Sequence, residues 1–437
     1  AGLQPANGEW TVPGGDMSGT AVQTDDPEMG TAVAAYLAFS GLSQPVWLVD
    51  DGHSLTFTYQ GTESGLFGIA LDFFDLETNI ANTQISVSVN GQAPFYESRT
   101  LVLPAEWRLE SQTFTLDRYG NEIQPGSQKT RTWFSHEIDD FDGMHPGLFL
   151  YSLVPGDVIT VSYVNSGLLI GAVRLIQETP VPAYEQYLAS HTGTPEATGQ
   201  VVVSARRIAS RNDPSIRLRS EQDPSNLHYD TQSLVLNVVF GDTWQTNGQS
   251  VTYDVTVPTT GFYRLSFKYR QYGMQDLSTF REIRIDGEVP FDLVSCYAFP
   301  YTSAFVNRTL TGPDGEALLF YLEAGTHLLR MTAVNYPYRE TIETLQYVMN
   351  RIQSLALNVK KYTSGGTDRY RDWEIETYFP TAAADISAWA DLLSDRYRSL
   401  SGLFTDRQPA EIATLLTASE RLKDIAGNIN KLPSLMV

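Results

Sequence analysis

The side chains best suited to chemistry in this chain of 437 residues are aromatic, amide and acidic groups at turn-rich positions, and such groups recognise ligands. Trp244, Tyr272, Tyr297, Tyr301 and Asn307 fall in or beside predicted loops of the second half, and Trp47, Trp107 and Trp133 hold comparable places in the first. A flat aromatic stacks on the apolar face of a sugar ring while polar neighbours hydrogen-bond its hydroxyls. These residues therefore form the candidate carbohydrate-binding set. The alternative for each is burial in a core or between modules, since Trp and Tyr are commonly buried with one wet polar edge.

Asp139, Asp140 and Asp142, ahead of Gly143, offer closely spaced oxygens of the kind a hard cation prefers. They are the candidate metal ligands, and a structural calcium is the one cofactor they suggest. No bidentate glutamate follows at calcium-loop spacing, so a solvated acidic loop is the alternative. The histidines His53, His136, His145, His191, His228 and His327 show no HExxH spacing. A GxSxG elbow and a phosphate loop ending in Lys-Ser or Lys-Thr are also missing. The sequence thus predicts a protein that is not an enzyme and has no catalytic residues. Glycoside hydrolysis by carboxylates that meet only in the fold ranks third among the readings.

The formal charge of −21 repels phosphate backbones and anionic lipid headgroups. Its densest basic pairs, Arg206 with Arg207 and Lys360 with Lys361, stand alone, so nucleic acid is not an expected partner. Cys296 is the only cysteine, which rules out an intrachain disulfide. No run of about 18 apolar residues is present to span a bilayer. The start at Ala1 and Gly2 is read as a mature or trimmed form whose export signal has been removed, and it does not by itself place the protein.

The elements that must position these side chains come in two copies. Residues 51–104 align without a gap on residues 247–300, a constant shift of 196. Gly52, Ser54, Thr56 and Gly65 meet Gly248, Ser250, Thr252 and Gly261, and Gly91, Pro94 and Phe95 meet Gly287, Pro290 and Phe291. The copies rejoin at a shift of 169, where LFLYSLVPGDVITVSYV from Leu148 resembles ALLFYLEAGTHLLRMTA from Ala317. The first copy therefore carries a 27-residue insertion between Pro104 and Gly156.

Val251–Val257 alternates apolar with polar residues, as do Ile85–Val89 and Val158–Tyr163. This period of two marks half-buried strands. Asn90-Gly91, Asp286-Gly287 and Pro155-Gly156 mark tight reversals between them. From Ile342 the period changes to three and four: Ile342, Leu345, Met349, Ile352, Ala356 and Val359; then Ile386, Trp389, Leu393, Tyr397 and Leu400; then Ile412, Leu415, Leu416, Leu422, Ile425 and Ile429 after Pro409. The predicted fold is mainly β, with two tandem antiparallel β-sandwich (jelly-roll-like) modules followed by a C-terminal α-helical segment. The modules are placed at 1–185, with the insertion near 105–147, and at 186–338; about three helices fill 339–437.

The second module and helical tail resemble the N-terminal half of a group of large extracellular solute-binding proteins of Gram-positive bacteria, in which carbohydrate-binding-like sandwiches precede a sugar-transporter binding domain. The matching residues are Tyr187-Leu188, Pro214-Ser215-Ile216, WQTNGQSVTYDVTVPTTGFY from Trp244, Tyr269 to Gln271, LEAGTH from Leu322 and TDRYRDWEIE from Thr367. The resemblance implies an extracellular or cell-surface protein that binds oligo- or polysaccharide for uptake by an ABC transporter. It also implies membrane transporter subunits as partners, through a two-lobed domain beyond Val437. One departure is that Arg206 and Arg207 stand where carboxylates of a jelly-roll calcium site would be expected. The runner-up reading is a structural or interaction region acting as spacer or scaffold.

Overall fold

The computed structural model describes residues 9–13, 16–22, 27–41, 45–273, 275, 277–403 and 409–435. The chain forms two compact units, one of Ala1–Arg270, Phe280–Phe299 and Phe305–Val334, the other of Gln271–Thr279, Pro300–Ala304 and Asn335–Val437.

In the first unit, alternating sequences become strands that bury every second side chain. Leu55–Thr58 and Thr83–Val89 bury Leu55, Phe57, Ile85 and Val87. They lie in a five-stranded sheet ordered Met17–Ser18, Leu55–Thr58, Val158–Asn165, Thr83–Val89 and Leu101–Leu103. The facing sheet is built on the long strands Gly65–Asp75 and Leu168–Ile176, and both sheets contribute to one core. These two strands are apolar almost throughout because both their faces are covered. Helix Pro27–Ser40, which the sequence reading does not anticipate, lays Ala32 and Tyr36 on the outer face against Phe74, Trp133, Leu169 and Ala172.

The second copy repeats the five-stranded order as Ser210–Arg211, Ser250–Val257, Gly325–Val334, Thr279–Ile285 and Tyr297–Phe299. The registers correspond pair by pair. Tyr151 opposes Phe67 as Phe320 opposes Tyr263, which preserves the shifts of 169 and 196. In the next strand Ile159 opposes Val89 and Leu329 opposes Ile285, a shift of 170. One extra residue in the turn before Leu328 accounts for the step.

The turn residues also match. Asn90 (φ 51°) and Asp286 (φ 54°) adopt the left-handed conformation, each followed by a positive-φ glycine, the pattern of a type I′ hairpin. Asn90 Oδ1 accepts from Val158 N at 2.9 Å, and Asp286 Oδ1 accepts from Leu328 N at 2.8 Å. Such agreement in register, turn and cap identifies the copies as one module used twice.

The insertion joins them. Its strands Trp107–Leu109 and Ser127–Lys129 extend the second copy's sheet to seven strands, with Trp107 opposite Arg211. Phe134–Glu137 then returns to pair with Gly65–Asp75 of the first copy. A buried ion pair closes the seam, Lys129 Nζ lying 2.5 Å from Asp75 Oδ2.

In the second unit, helices Tyr336–Tyr362, Ala382–Ser401 and Ala410–Gly427 pack around Val348, Val359, Trp389, Leu393, Ile412 and Leu415. The predicted stretch around Asp406 between the last two lies outside the described residues. Among the described residues, no helix is long and apolar enough to cross a membrane.

Candidate functional site

The structure distributes the candidate aromatic residues among several environments instead of gathering them in one cleft. Trp47 belongs to the first core, and Trp133 lies beneath helix Pro27–Ser40, its Nε1 donating to Ala32 O at 2.8 Å. Trp107 is buried on the inserted strand. Tyr297 is buried in the second core, its hydroxyl accepting from Thr311 N at 2.9 Å. Trp244 is half-buried, with the Arg281 guanidinium 4.5 Å from its ring centroid and its own Nε1 bonded to Gln249 O. These five contribute packing and positioning rather than an open stacking face.

Asn307 is exposed on strand Val306–Thr309, opposite Lys268. Tyr272 is 48% exposed and Tyr301 half-buried, on segments that belong to the helical unit. There Leu277 enters the helical core and Tyr338 Oη donates to Ser278 O at 3.1 Å. Sequence reasoning missed Tyr96, which is 80% exposed directly after Phe95. The repeat alignment sets Tyr96 against Asp292, a change of character that could have drawn attention to it.

The acidic run forms a self-bonded turn. Asp140 Oδ2 accepts from Met144 N at 3.0 Å and His145 N at 2.8 Å, and its Oδ1 accepts from Asp142 N at 3.1 Å. Its oxygens are occupied by backbone donors. Among the described residues, no group of three or more His, Cys, Asp or Glu is arranged to hold a metal ion. Gly248 makes room for this turn: at φ 78°, a Cβ there would lie 1.7 Å from Phe141 O.

Asp139 instead joins a polar cluster on the outer face of the second copy's sheet. Ser210, Thr252, Arg330 and Arg284 are successive cross-strand partners and so share that face. Arg330 lies 3.6 Å from Glu106 Oε1 and donates to Thr252 Oγ1 at 3.3 Å; Arg284 lies 2.5 Å from Glu282 Oε1 and 3.9 Å from Asp139 Oδ2. Burial raises the Asp139 carboxyl above its ordinary range, against the pull of Arg284. Burial, then the charges of Arg330 and Arg284, push His136 down to about 3. His136 Nε2 lies 3.7 Å from Asp139 Oδ1, yet desolvation and two guanidiniums outweigh that attraction, so the imidazole is neutral. The cluster sets guanidinium donors beside carboxylate acceptors, groups that hydrogen-bond hydroxyl-rich ligands as well as each other.

Residues 340–437 match the family model described as the bacterial solute-binding protein 4-helix bundle domain. No curated protein matches the sequence. Among solved structures, a Podospora anserina GH26-CBM35 β-(1,4)-mannanase is similar at 11% identity and TM-score 0.22, over 40% of this chain and 29% of that one. An Arthrobacter globiformis T6 isomalto-dextranase complexed with panose gives 12% identity and TM-score 0.20, over 68% and 35%. The ANX2 ectodomain from Arabidopsis thaliana gives 12% identity and TM-score 0.17, over 73% and 83%. The chain spans about a third of the mannanase and of the isomalto-dextranase. Likeness at this level says nothing about what this chain binds.

Proposed function

We propose that the chain is the extracellular carbohydrate-binding region of a bacterial solute-binding protein that captures oligosaccharides for uptake by an ABC transporter. The observation that carries this reading is the solute-binding bundle domain matched by residues 340–437, following a duplicated β-sandwich. The sugar class is supported by exposed aromatic rings, Tyr96 and Tyr272, on a scaffold that also displays guanidinium and carboxylate groups. We read the role as binding, not catalysis, since Asp139, Glu282 and Glu106 are engaged by Arg284 and Arg330. Calorimetric titration of the chain with α- and β-linked hexasaccharides of glucose and mannose tests it. At least one should bind saturably with micromolar to millimolar affinity; no heat from any of them, nor from plant or bacterial polysaccharides, would remove it.

A second reading, an interaction platform, is favoured by one observation. Helix Tyr336–Tyr362 leaves Met349 56% and Leu357 61% exposed. Association of the chain at rising concentration, abolished by Met349→Lys with Leu357→Lys, would support this platform; a monomer at all concentrations would count against self-association through it.

A further inference from the structure

The duplicated copies differ at one surface that the second fills and the first leaves open. In the second copy, helix Tyr184–Ser190 lays two rings on Phe291, with centroid distances of 4.7 Å for Tyr184 and 4.9 Å for Tyr187. Three backbone amides of the module are satisfied by the same segment. Leu319 N donates to the Tyr184 hydroxyl at 2.9 Å, Tyr321 N to the Tyr187 hydroxyl at 2.7 Å, and Asp292 N to Pro182 O at 3.0 Å.

Through the register of the repeat, Phe291 corresponds to Phe95, Asp292 to Tyr96, Leu319 to Leu150 and Tyr321 to Ser152. The aromatic floor is conserved between the copies: Phe95 lies 5.2 Å from Tyr151 as Phe291 lies 5.1 Å from Phe320, and Phe149 adds a third ring at 5.4 Å. No described residue takes the place of the tyrosine helix. Tyr96 and Ser152 are exposed, Phe95 and Phe149 are half-buried, and the amides of Tyr96, Leu150 and Ser152 have no hydrogen-bond partner among the described residues.

We propose that this surface of the first copy is the glycan site. The inference rests on the proposed oligosaccharide-binding function and locates it. The tyrosine helix supplies two things to the second copy, a flat apolar ring against the floor and hydroxyl oxygens that accept from the outward amides. A pyranose supplies both: its C–H face packs on Tyr96 and Phe95, while its oxygens accept from the amides of Tyr96, Leu150 and Ser152. The strand edge here gives main-chain donors that, among substitutions, only proline removes, and Tyr96 gives the stacking contact.

The test combines calorimetry with amide hydrogen exchange on the chain, using maltohexaose, cellohexaose, mannohexaose and isomaltohexaose as probes. At least one probe should bind and slow exchange in peptides covering Tyr96 and Leu150 to Ser152. Tyr96→Ala should weaken binding about tenfold, the scale of one lost aromatic stack. Ser152→Pro removes one outward N–H at an edge, where proline is tolerated, and should weaken binding as well, with circular dichroism unchanged. Tyr370→Ala, which removes an exposed ring from the helical unit, should leave affinity unaltered. Full affinity in Tyr96→Ala and Ser152→Pro, with loss in Tyr272→Ala or Tyr301→Ala, would overturn this site and leave glycan capture standing. Failure of all four probes, with binding of a peptide spanning residues 182–191 to the first copy, would overturn both and assign the surface to a helix.

Discussion

Tyr151 is wholly buried, and its hydroxyl has no hydrogen-bond partner among the described residues. Burial alone pushes the phenol far above its usual range. The second copy carries Phe320 at the equivalent place and avoids the cost of an unsatisfied hydroxyl. Tyr151→Phe is therefore expected to raise stability by about 1 kcal/mol in urea denaturation. Two histidines titrate in opposite directions. His136 is held neutral, so the unfolded chain binds its proton first, and stability falls as pH drops from about 6.5 towards 3. His136→Gln should recover up to about 2 kcal/mol at pH 5 relative to the parent, measured from the pH dependence of the urea midpoint. At His327 burial lowers the pKa, but hydrogen bonds to Asp286 and the Glu323 carbonyl outweigh it and the net shift is upward. Its stabilisation is full below pH about 6.5 and is lost as pH rises through the raised pKa. His327→Gln should flatten stability above neutrality while leaving the acid limb intact.

At the scale of elements, the turns of the two copies offer an internal control. Asn90 and Asp286 each hold a left-handed backbone and accept from a facing strand, Asn90 from the amide of Val158 that opens it and Asp286 from that of Leu328 within it. Alanine at either position loses that bond and strains the turn, so Asn90→Ala and Asp286→Ala should each cost about 1–2 kcal/mol, by comparable amounts in denaturant titrations. The strands were legible because alternation maps directly onto a half-buried sheet, as in Leu55–Thr58 and Ser250–Val257. The helices were legible from their stripes, but only in part. Ile386, Trp389 and Leu393 are buried as expected, whereas Met349 of the first stripe is exposed, because Tyr336–Tyr362 turns Val348 and Val359 inward. Helix Pro27–Ser40 escaped because its small and apolar residues run almost all round, leaving a weak stripe to detect.

At the scale of the molecule, the insertion makes one unit of two sandwiches. It leaves the first copy, adds Trp107–Leu109 and Ser127–Lys129 to the second copy's sheet, and returns as Phe134–Glu137. Lys129 and Asp75 are both buried where these parts meet. Lys129→Met leaves the Asp75 carboxylate without its partner and should cost about 3–5 kcal/mol. Calorimetry should show the two sandwiches unfolding in one transition in the parent, and that transition shifted down or split in the variant. Two independent sandwich transitions in the parent would show that the seam does not couple them.

Sequence by itself determined the duplication, the β class of both copies and the helical tail, since turn glycines, alternation and heptad-like stripes are local patterns that each element must satisfy alone. It did not determine which aromatic residues remain open. Trp47, Trp107, Trp133 and Tyr297 have the same composition of ring and polar edge as Tyr96 and Tyr272, yet the first four are covered and the last two are exposed. Exposure depends on what packs over a residue from distant parts of the chain: a helix over Trp133, a second core around Tyr297, nothing described over Tyr96. Only the tertiary structure fixes those neighbours, because burial is a property of the assembled surface and not of the residue that lies in it.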